Sequence, residues 1–318
     1  MQLYGHYGVS RYCGLFGKSR QAYYEQRNEP SDKGLQDALV LKLVGEVRED
    51  LPRCGVDKLH YMLQGPFAGH GIKMGRDSLY RLMGRYGLLV RHRNRKPYTT
   101  NSRHHYKKYP NLIRDMEVDQ AGQLWVSDIT YIRQQGGFSY LSIITDAYSH
   151  KIVGYKLHPT LHSEGAVDAL AMASKDVKRT DKLIHHSDRG IQYCCSEYVR
   201  MIELINIQLS MTEKGDPYEN AIAERVNGIL KHEHGLKATF ASHDQASKAV
   251  DDAIKKYNEI RIHDSCDRLT PEMAHQHKGI LKKHWRAKTY KKHCQPESGI
   301  ETIVQHQTST NESIENPM

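Results

Sequence analysis

The run Leu124-Trp125-Val126-Ser127-Asp128-Ile129-Thr130-Tyr131-Ile132 is β-branched, aromatic or aliphatic almost throughout, the composition of a strand fitted to a pleated, half-buried surface. Asp128 interrupts it near the middle. An unpaired carboxylate is costly to bury, so this position calls for protonation, a nearby cation or a functional reason. Phe138–Ala147 and Ile152–Leu157 continue the strand pattern, and Gly136-Gly137 supplies a tight turn between the first two. An antiparallel meander is the expected outcome.

Downstream the periodicity alternates. A helix is predicted at about Ser163–Lys175, a short strand at Lys182–His186, a helix near Ser196–Leu204 and a strand at Gln208–Met211. A last helix follows, Pro217-Tyr218-Glu219-Asn220-Ala221-Ile222-Ala223-Glu224-Arg225-Val226-Asn227-Gly228-Ile229-Leu230-Lys231. Three strands followed by alternating helices and strands imply a mixed α/β layer fold. At about 100° per residue, Ile222, Val226, Ile229 and Leu230 share one side of the last helix, while Asn220, Glu224, Asn227 and Lys231 share the other. One side is core and the other carries chemistry.

Two more carboxylates belong with Asp128. Asp188 closes the strand ending at His186 and opens the turn Ser187-Asp188-Arg189-Gly190; Glu224 projects from the polar face of the helix, with thirty-five residues between the two. Three anions brought together raise each other's pKa, and as an ionised set they need divalent metal. Oxygen-only ligands favour Mg²⁺ or Mn²⁺. Two such ions about 3.5–4 Å apart would activate an oxygen nucleophile and stabilise the leaving oxygen of a phosphodiester. Lys231, two turns along, would hold the DNA backbone beside the metals, and Asn227 would bond near the terminal nucleotide.

Composition supports an acidic polymer as partner. In 318 residues, 46 Lys and Arg against 37 Asp and Glu give a net charge of +9. From Arg76 to Arg114 there are eleven basic residues and one acid, Asp77. Before that segment, Val9–Tyr24 has helix-turn-helix spacing, Asn28–Gly34 reads as a linker, and Leu35–Glu49 is an amphipathic helix with Leu39, Leu43 and Val47 inward. Helices around Val56–Leu63 and Arg76–Tyr86 lead into Arg91-His92-Arg93-Asn94-Arg95-Lys96, an arm suited to lie on the phosphates of double-stranded DNA, with Arg91, Arg93, Arg95 and Lys96 as contacts. The six cysteines show neither metal-ligand spacing nor disulfide density. Most of the twenty histidines are expected at the surface or facing nucleic acid. No signal core and no run of about 20 apolar residues is present, so a cytoplasmic protein with no membrane partner is expected.

The phrases Trp125–Ile132, His186-Ser187-Asp188-Arg189-Gly190-Ile191-Gln192-Tyr193 and Asn220-Ala221-Ile222-Ala223-Glu224-Arg225, with Lys231, resemble the catalytic core of the insertion-sequence transposases of the IS-three family, relatives of retroviral integrases. The resemblance extends to Tyr257-Asn258, Arg261-Ile262-His263, Thr270-Pro271 and, upstream, Thr99-Thr100-Asn101-Ser102, covering about Leu35 to His275. It implies an RNase H-like core in which Asp128, Asp188 and Glu224 are the metal-binding triad. The implied reaction is strand cleavage and 3′-OH strand transfer at element ends, with no covalent protein–DNA intermediate. The chain is similar to the second-reading-frame product, which implies a first-frame partner or fusion and a homo-oligomer on nucleoid DNA. Cys266 stands where a leucine is more usual.

The expected organisation is a helix-turn-helix-like segment and linker at 1–34, a helical region with basic arm at 35–110, the catalytic core with a helical extension at 111–275, and a basic segment with a disordered tail at 276–318. Two other functions fit parts of this pattern. One is a structure-specific nuclease on the same fold; the other is a non-catalytic DNA-binding regulator of transposition.

Overall fold

Strand β1 (Leu124–Gln134) is the hub of a five-stranded sheet. It pairs antiparallel with β2 (Gly137–Asp146), which pairs antiparallel with β3 (Ile152–His158). On its other side it pairs parallel with β4 (Ile184–Ser187), which pairs parallel with β5 (Gln208–Met211). The order β3-β2-β1-β4-β5 is the mixed, RNase H-like arrangement expected from the sequence. The computed structural model describes residues 31–90, 105–114, 116–177, 182–213 and 220–284, with a few positions between 13 and 21. Most of the expected N-terminal helix-turn-helix segment, the Arg91–Lys96 arm, Pro217 and the tail lie outside these residues.

Side-chain alternation along β1 assigns the two faces of the sheet. Trp125 joins Ile144, Leu183, Leu209 and Met211 on one face, under α5 (Glu164–Ala173), α6 (Ile191–Cys194) and α7 (Ser196–Leu204). Ile132 joins Leu141, Ile143 and Ile152 on the other, under α8 (Ala221–Glu233) and α9 (His243–Glu259). Helix α5 approaches β3 so closely that a Cβ on Gly154 would stand 2.2 Å from the Ala169 carbonyl oxygen. Only glycine permits that spacing.

Family phrases noted in the sequence have structural work here. The Asn258 amide donates to the Ile152 carbonyl and accepts from the Ile152 N–H, both at 3.0 Å, stapling α9 to the edge strand. The Arg261 guanidinium, buried, grips Glu233 at the end of α8 through two bonds of 2.8 and 2.9 Å. Thr270 caps α10 (Pro271–Gln276) by accepting from Met273 N–H. Cys266 fills a fully buried place against Tyr148, Ala274 and Leu281.

Ahead of the sheet stands a helical module: α1 (Ser31–Asp50), α2 (Val56–Met62), α3 (Gln64–Gly69) and α4 (Arg76–Arg85) around Val40, Val44, Leu59, Leu63, Leu79, Leu82 and Met83. It meets the core through Ile260 and the ion pairs Asp50–Lys256 and Asp57–Arg268.

Two expectations need correction. Helix α1 starts at Ser31 and takes in Gly34, so the second half of the expected linker is helical. The β1–β2 turn is Gln135-Gly136, because Gln134 pairs with Gly137; Gly136 (φ 84°) supplies the left-handed residue. Most of the described histidines keep some exposure, as expected, while His185, His186 and His263 are buried. Burial pushes His185 down to about 3, and its ring bonds Ser127 Oγ (2.6 Å) and Tyr198 Oη (3.0 Å). Among the described residues no helix is long and apolar enough to cross a membrane.

Candidate active site

Asp128 lies on the α8 side of β1, half-buried, and both of its oxygens are held. Its Oδ1 accepts from the Ile129 N–H (2.9 Å) and its Oδ2 from Asn227 Nδ2 (2.8 Å). Those bonds favour the carboxylate. They are outweighed by burial and then by the Asp188 charge, with a smaller push from Glu224, so the group rises to about 7.

Asp188 follows the last residue of β4, which runs parallel to β1, and the sheet thereby delivers it beside Asp128. Its Oδ1 accepts from Gly190 N–H at 2.9 Å, which folds the turn back on itself. Glu224 occupies the first turn of α8 and is exposed. The structure thus brings Asp128 and Asp188 together and leaves Glu224 at the rim. Among the described residues no three His, Cys, Asp or Glu side chains are grouped closely enough to hold a metal ion as they stand.

Helix α8 is tied to β1 at two points that bracket Glu224. Asn220 Nδ2 donates to the Ser127 carbonyl at 2.9 Å, four residues before it, and Asn227 holds Asp128 three residues after. Both asparagines are buried. Asn227 has a duty beside the DNA contact expected of it, because one of its amide N–H groups is given to Asp128. Lys231, one turn further, is half-buried; desolvation lowers its pKa and the Asp128 charge partly restores it. Val226, Ile229 and Leu230 face the core, as the periodicity required.

Sequence reasoning missed Asn220 as a tether and Tyr193 as a neighbour. Burial raises the Tyr193 phenol well above its usual range, and the Asp188 and Asp128 charges raise it further. Offsets of four and three around Glu224 were a signal for the asparagine pair, since both then lie on the helix side that meets Asp128. Arg91, Arg93, Arg95 and Lys96 fall outside the described residues.

The integrase core domain family matches residues 118–217 and again 205–271, which makes this sheet and its helices a polynucleotidyl-transferase core. A protein of insertion element IS600 from Shigella sonnei is 36% identical over 262 residues, covering 81% of this chain and 95% of its own. The putative transposase of IS986/IS6110 from Mycobacterium tuberculosis (strain CDC 1551 / Oshkosh) is 31% identical over 224 residues, 66% of this chain and 77% of its own. The HTLV-2 integrase catalytic core domain in complex with magnesium superposes with a TM-score of 0.39 at 17% identity, covering 49% of this chain and 97% of that one. The chain belongs to the insertion-sequence transposases with an integrase core, enzymes that act on DNA. The nuclease and regulator alternatives are not favoured by these relatives.

Proposed function

We propose that Asp128, Asp188 and Glu224 are the catalytic carboxylates of this transposase, and that they work on Mg²⁺ or Mn²⁺, as two ions. The observation that carries the reading is the Asp128 carboxyl, held by the helix that bears Glu224 and pushed to about 7 by burial and its anionic neighbours. An all-oxygen donor set under that pressure fits a hard divalent cation. Bound there, such ions supply Lewis-acid stabilisation of the attacked phosphate and activation of the attacking oxygen.

The chain's own residues do the rest. Asn227 fixes the Asp128 rotamer, and Asn220 fixes the distance between α8 and β1. Asp188 stands just past a strand end, half-buried beside the Gly190 turn. The Lys231 ammonium, partly desolvated, draws a backbone phosphate toward Asp128. The first cleavage exchanges the bond between phosphorus and the 3′ oxygen for one to water oxygen; the freed 3′-hydroxyl then attacks a target phosphodiester, whose own 3′ oxygen leaves. Glu224 reaches the pair from the rim as α8 settles on DNA.

Arg91, Arg93, Arg95 and Lys96 bind phosphates of duplex DNA without reading sequence. The protein works as a homo-oligomer on nucleoid DNA in the cytoplasm, with the first-reading-frame product as partner or fused segment. Glu224→Gln is the test: it keeps the shape and removes the charge. Duplexes carrying the element ends should still bind, and nicking with Mg²⁺ should vanish; retained nicking removes Glu224 from the site.

A further inference from the structure

One phenol under the Trp125 face of the sheet has an oxygen with no hydrogen-bond partner among the described residues. It belongs to Tyr193, in the short helix α6. The Tyr193 N–H donates to the Gly190 carbonyl at 3.0 Å, and the ring packs edge-on against Tyr198 with centroids 5.4 Å apart. The residue is only 2% exposed, and its Oη is sealed from water. Burying a hydroxyl without a bond is costly. Packing alone asks for the ring, and phenylalanine would supply it without that cost. The hydroxyl calls for an acceptor that reaches it in another state of the site.

Two observations point to Asp188. A Cβ added to Gly190 would stand 2.9 Å from Asp188 Oδ1 and 3.6 Å from Tyr193 Cδ2, so the carboxylate and the ring wall the same turn. After burial itself, the charges that act on the phenol are those of Asp188 and then Asp128, and all three keep its proton in place. Tyr193 is therefore a donor at any working pH. Asp188 Oδ1 accepts from Gly190 N–H at 2.9 Å, a bond that shapes the turn. Asp128 shows what a further donor does: buried Asn227 fixes its Oδ2 at 2.8 Å. His185 is the competing partner. Its ring centroid lies 6.3 Å from that of Tyr193, and its Nδ1 also has no partner among the described residues, so a water between the two would satisfy both. The carboxylate is charged and makes the stronger bond.

We infer that Tyr193 is a positioning residue for Asp188: its hydroxyl donates to the Asp188 carboxylate once a divalent cation lies between that group and Asp128. The inference rests on the proposed function and deepens it, giving each aspartate its own buried donor, Asn227 for Asp128 and Tyr193 for Asp188. Outer donors of this kind hold a ligating carboxylate in the orientation the cation needs. The bond is made only in the loaded state, so the hydroxyl contributes to cation affinity and nothing to the resting fold.

Tyr193→Phe keeps the ring and deletes the hydroxyl. The full-length chain, bound to a duplex carrying the element ends, is titrated with Mn²⁺ while the free ion is followed by electron paramagnetic resonance. Wild type should take up Mn²⁺, and Tyr193→Phe should hold it about ten- to a hundredfold more weakly, with unchanged affinity for the duplex in metal-free buffer. Raising Mg²⁺ should restore nicking by the variant. Without metal or DNA its melting temperature should equal or exceed that of wild type, since the deleted hydroxyl had no bond to lose. Unchanged Mn²⁺ affinity would overturn the assignment. A lowered melting temperature without metal would overturn it as well, because the hydroxyl would then be bonded in the resting fold, through water to His185. A wild type that takes up no Mn²⁺ would instead overturn the metal reading on which the inference rests.

Discussion

Two aspartates on neighbouring strands meet opposite fates. Asp146 ends β2, across the sheet from Trp125, and is completely buried; Asp128, on β1, is only half-buried. Burial alone would make Asp146 the more strained of the two. Instead its carboxyl lies below the usual range, because burial is outweighed by the His275 ring, the Gly122 N–H (2.8 Å) and the Ser149 N–H and hydroxyl (2.9 and 2.7 Å). Asp128 has fewer donors and faces two anions, so it rises to about 7. Satisfied hydrogen-bonding capacity, more than depth, separates a carboxylate that builds the fold from one kept in tension for chemistry.

Exchanging each for its amide should break the comparison most sharply. Asp128→Asn removes repulsion from the site and keeps one acceptor for the Ile129 N–H. It offers its new N–H to Asn227 Oδ1, which has no partner now among the described residues and accepts once that amide flips. Thermal stability should therefore hold or rise while strand cleavage falls below detection. Asp146→Asn should do the reverse. An amide nitrogen placed against the donors on either side leaves a buried donor unpaired, at a cost of about 2–4 kcal/mol, while activity per folded molecule is retained. Denaturant unfolding beside a nicking assay checks both. A destabilised Asp128→Asn, or an inactive but well-folded Asp146→Asn, would erase the distinction.

The difference between these residues was only half legible in the sequence. Asp128 stood out because it breaks an apolar run, and the strand pattern around it was clear. Asp146 also follows a β-branched run, Ile143-Ile144-Thr145, yet its partners Gly122 and His275 are distant in the chain and only the tertiary fold reveals them. The same blindness hid the His185 bonds to Ser127 and Tyr198, and the Arg261–Glu233 grip that anchors the far end of α8. Helical periodicity sorted the core face of α8 correctly, yet it treated the opposite side as uniformly polar. Asn220 and Asn227 are buried there because β1 lies beneath them. Local pattern records which side of an element is apolar; it does not record what a polar side chain finds across the gap.

Asn227 is where the comparison can be sharpened. Asn227→Ala removes the one side-chain donor seen on Asp128 and should cost about ten- to a hundredfold in cleavage rate. The signature of positioning is a raised Mg²⁺ requirement with unchanged DNA affinity. A loss of DNA affinity at unchanged Mg²⁺ dependence would return Asn227 to the nucleotide contact first expected of it.

The smallest effect is in the pH dependence of stability, and its sign differs for the two aspartates. Asp146, lower when folded, stabilises the protein above its unfolded pKa, and that contribution is lost only as strong acid titrates the folded group. Asp128, raised to about 7 when folded, binds its proton more tightly in the native state. Its contribution is therefore fully present below about pH 4 and is lost as pH rises toward 7. In metal-free buffer the stability of wild type minus that of Asp128→Asn should decline over that window, by at most about 1.4 kcal/mol per pH unit. Taking the difference cancels His185, which is pushed to about 3 and in both proteins makes stability fall as pH drops below its unfolded value near 6.5. Mg²⁺ should flatten the difference, since a cation on the site favours the ionised carboxylate at every pH in the range. A difference that is flat without metal would mean that Asp128 is as well satisfied as Asp146, and the tension assigned to it would have no physical basis.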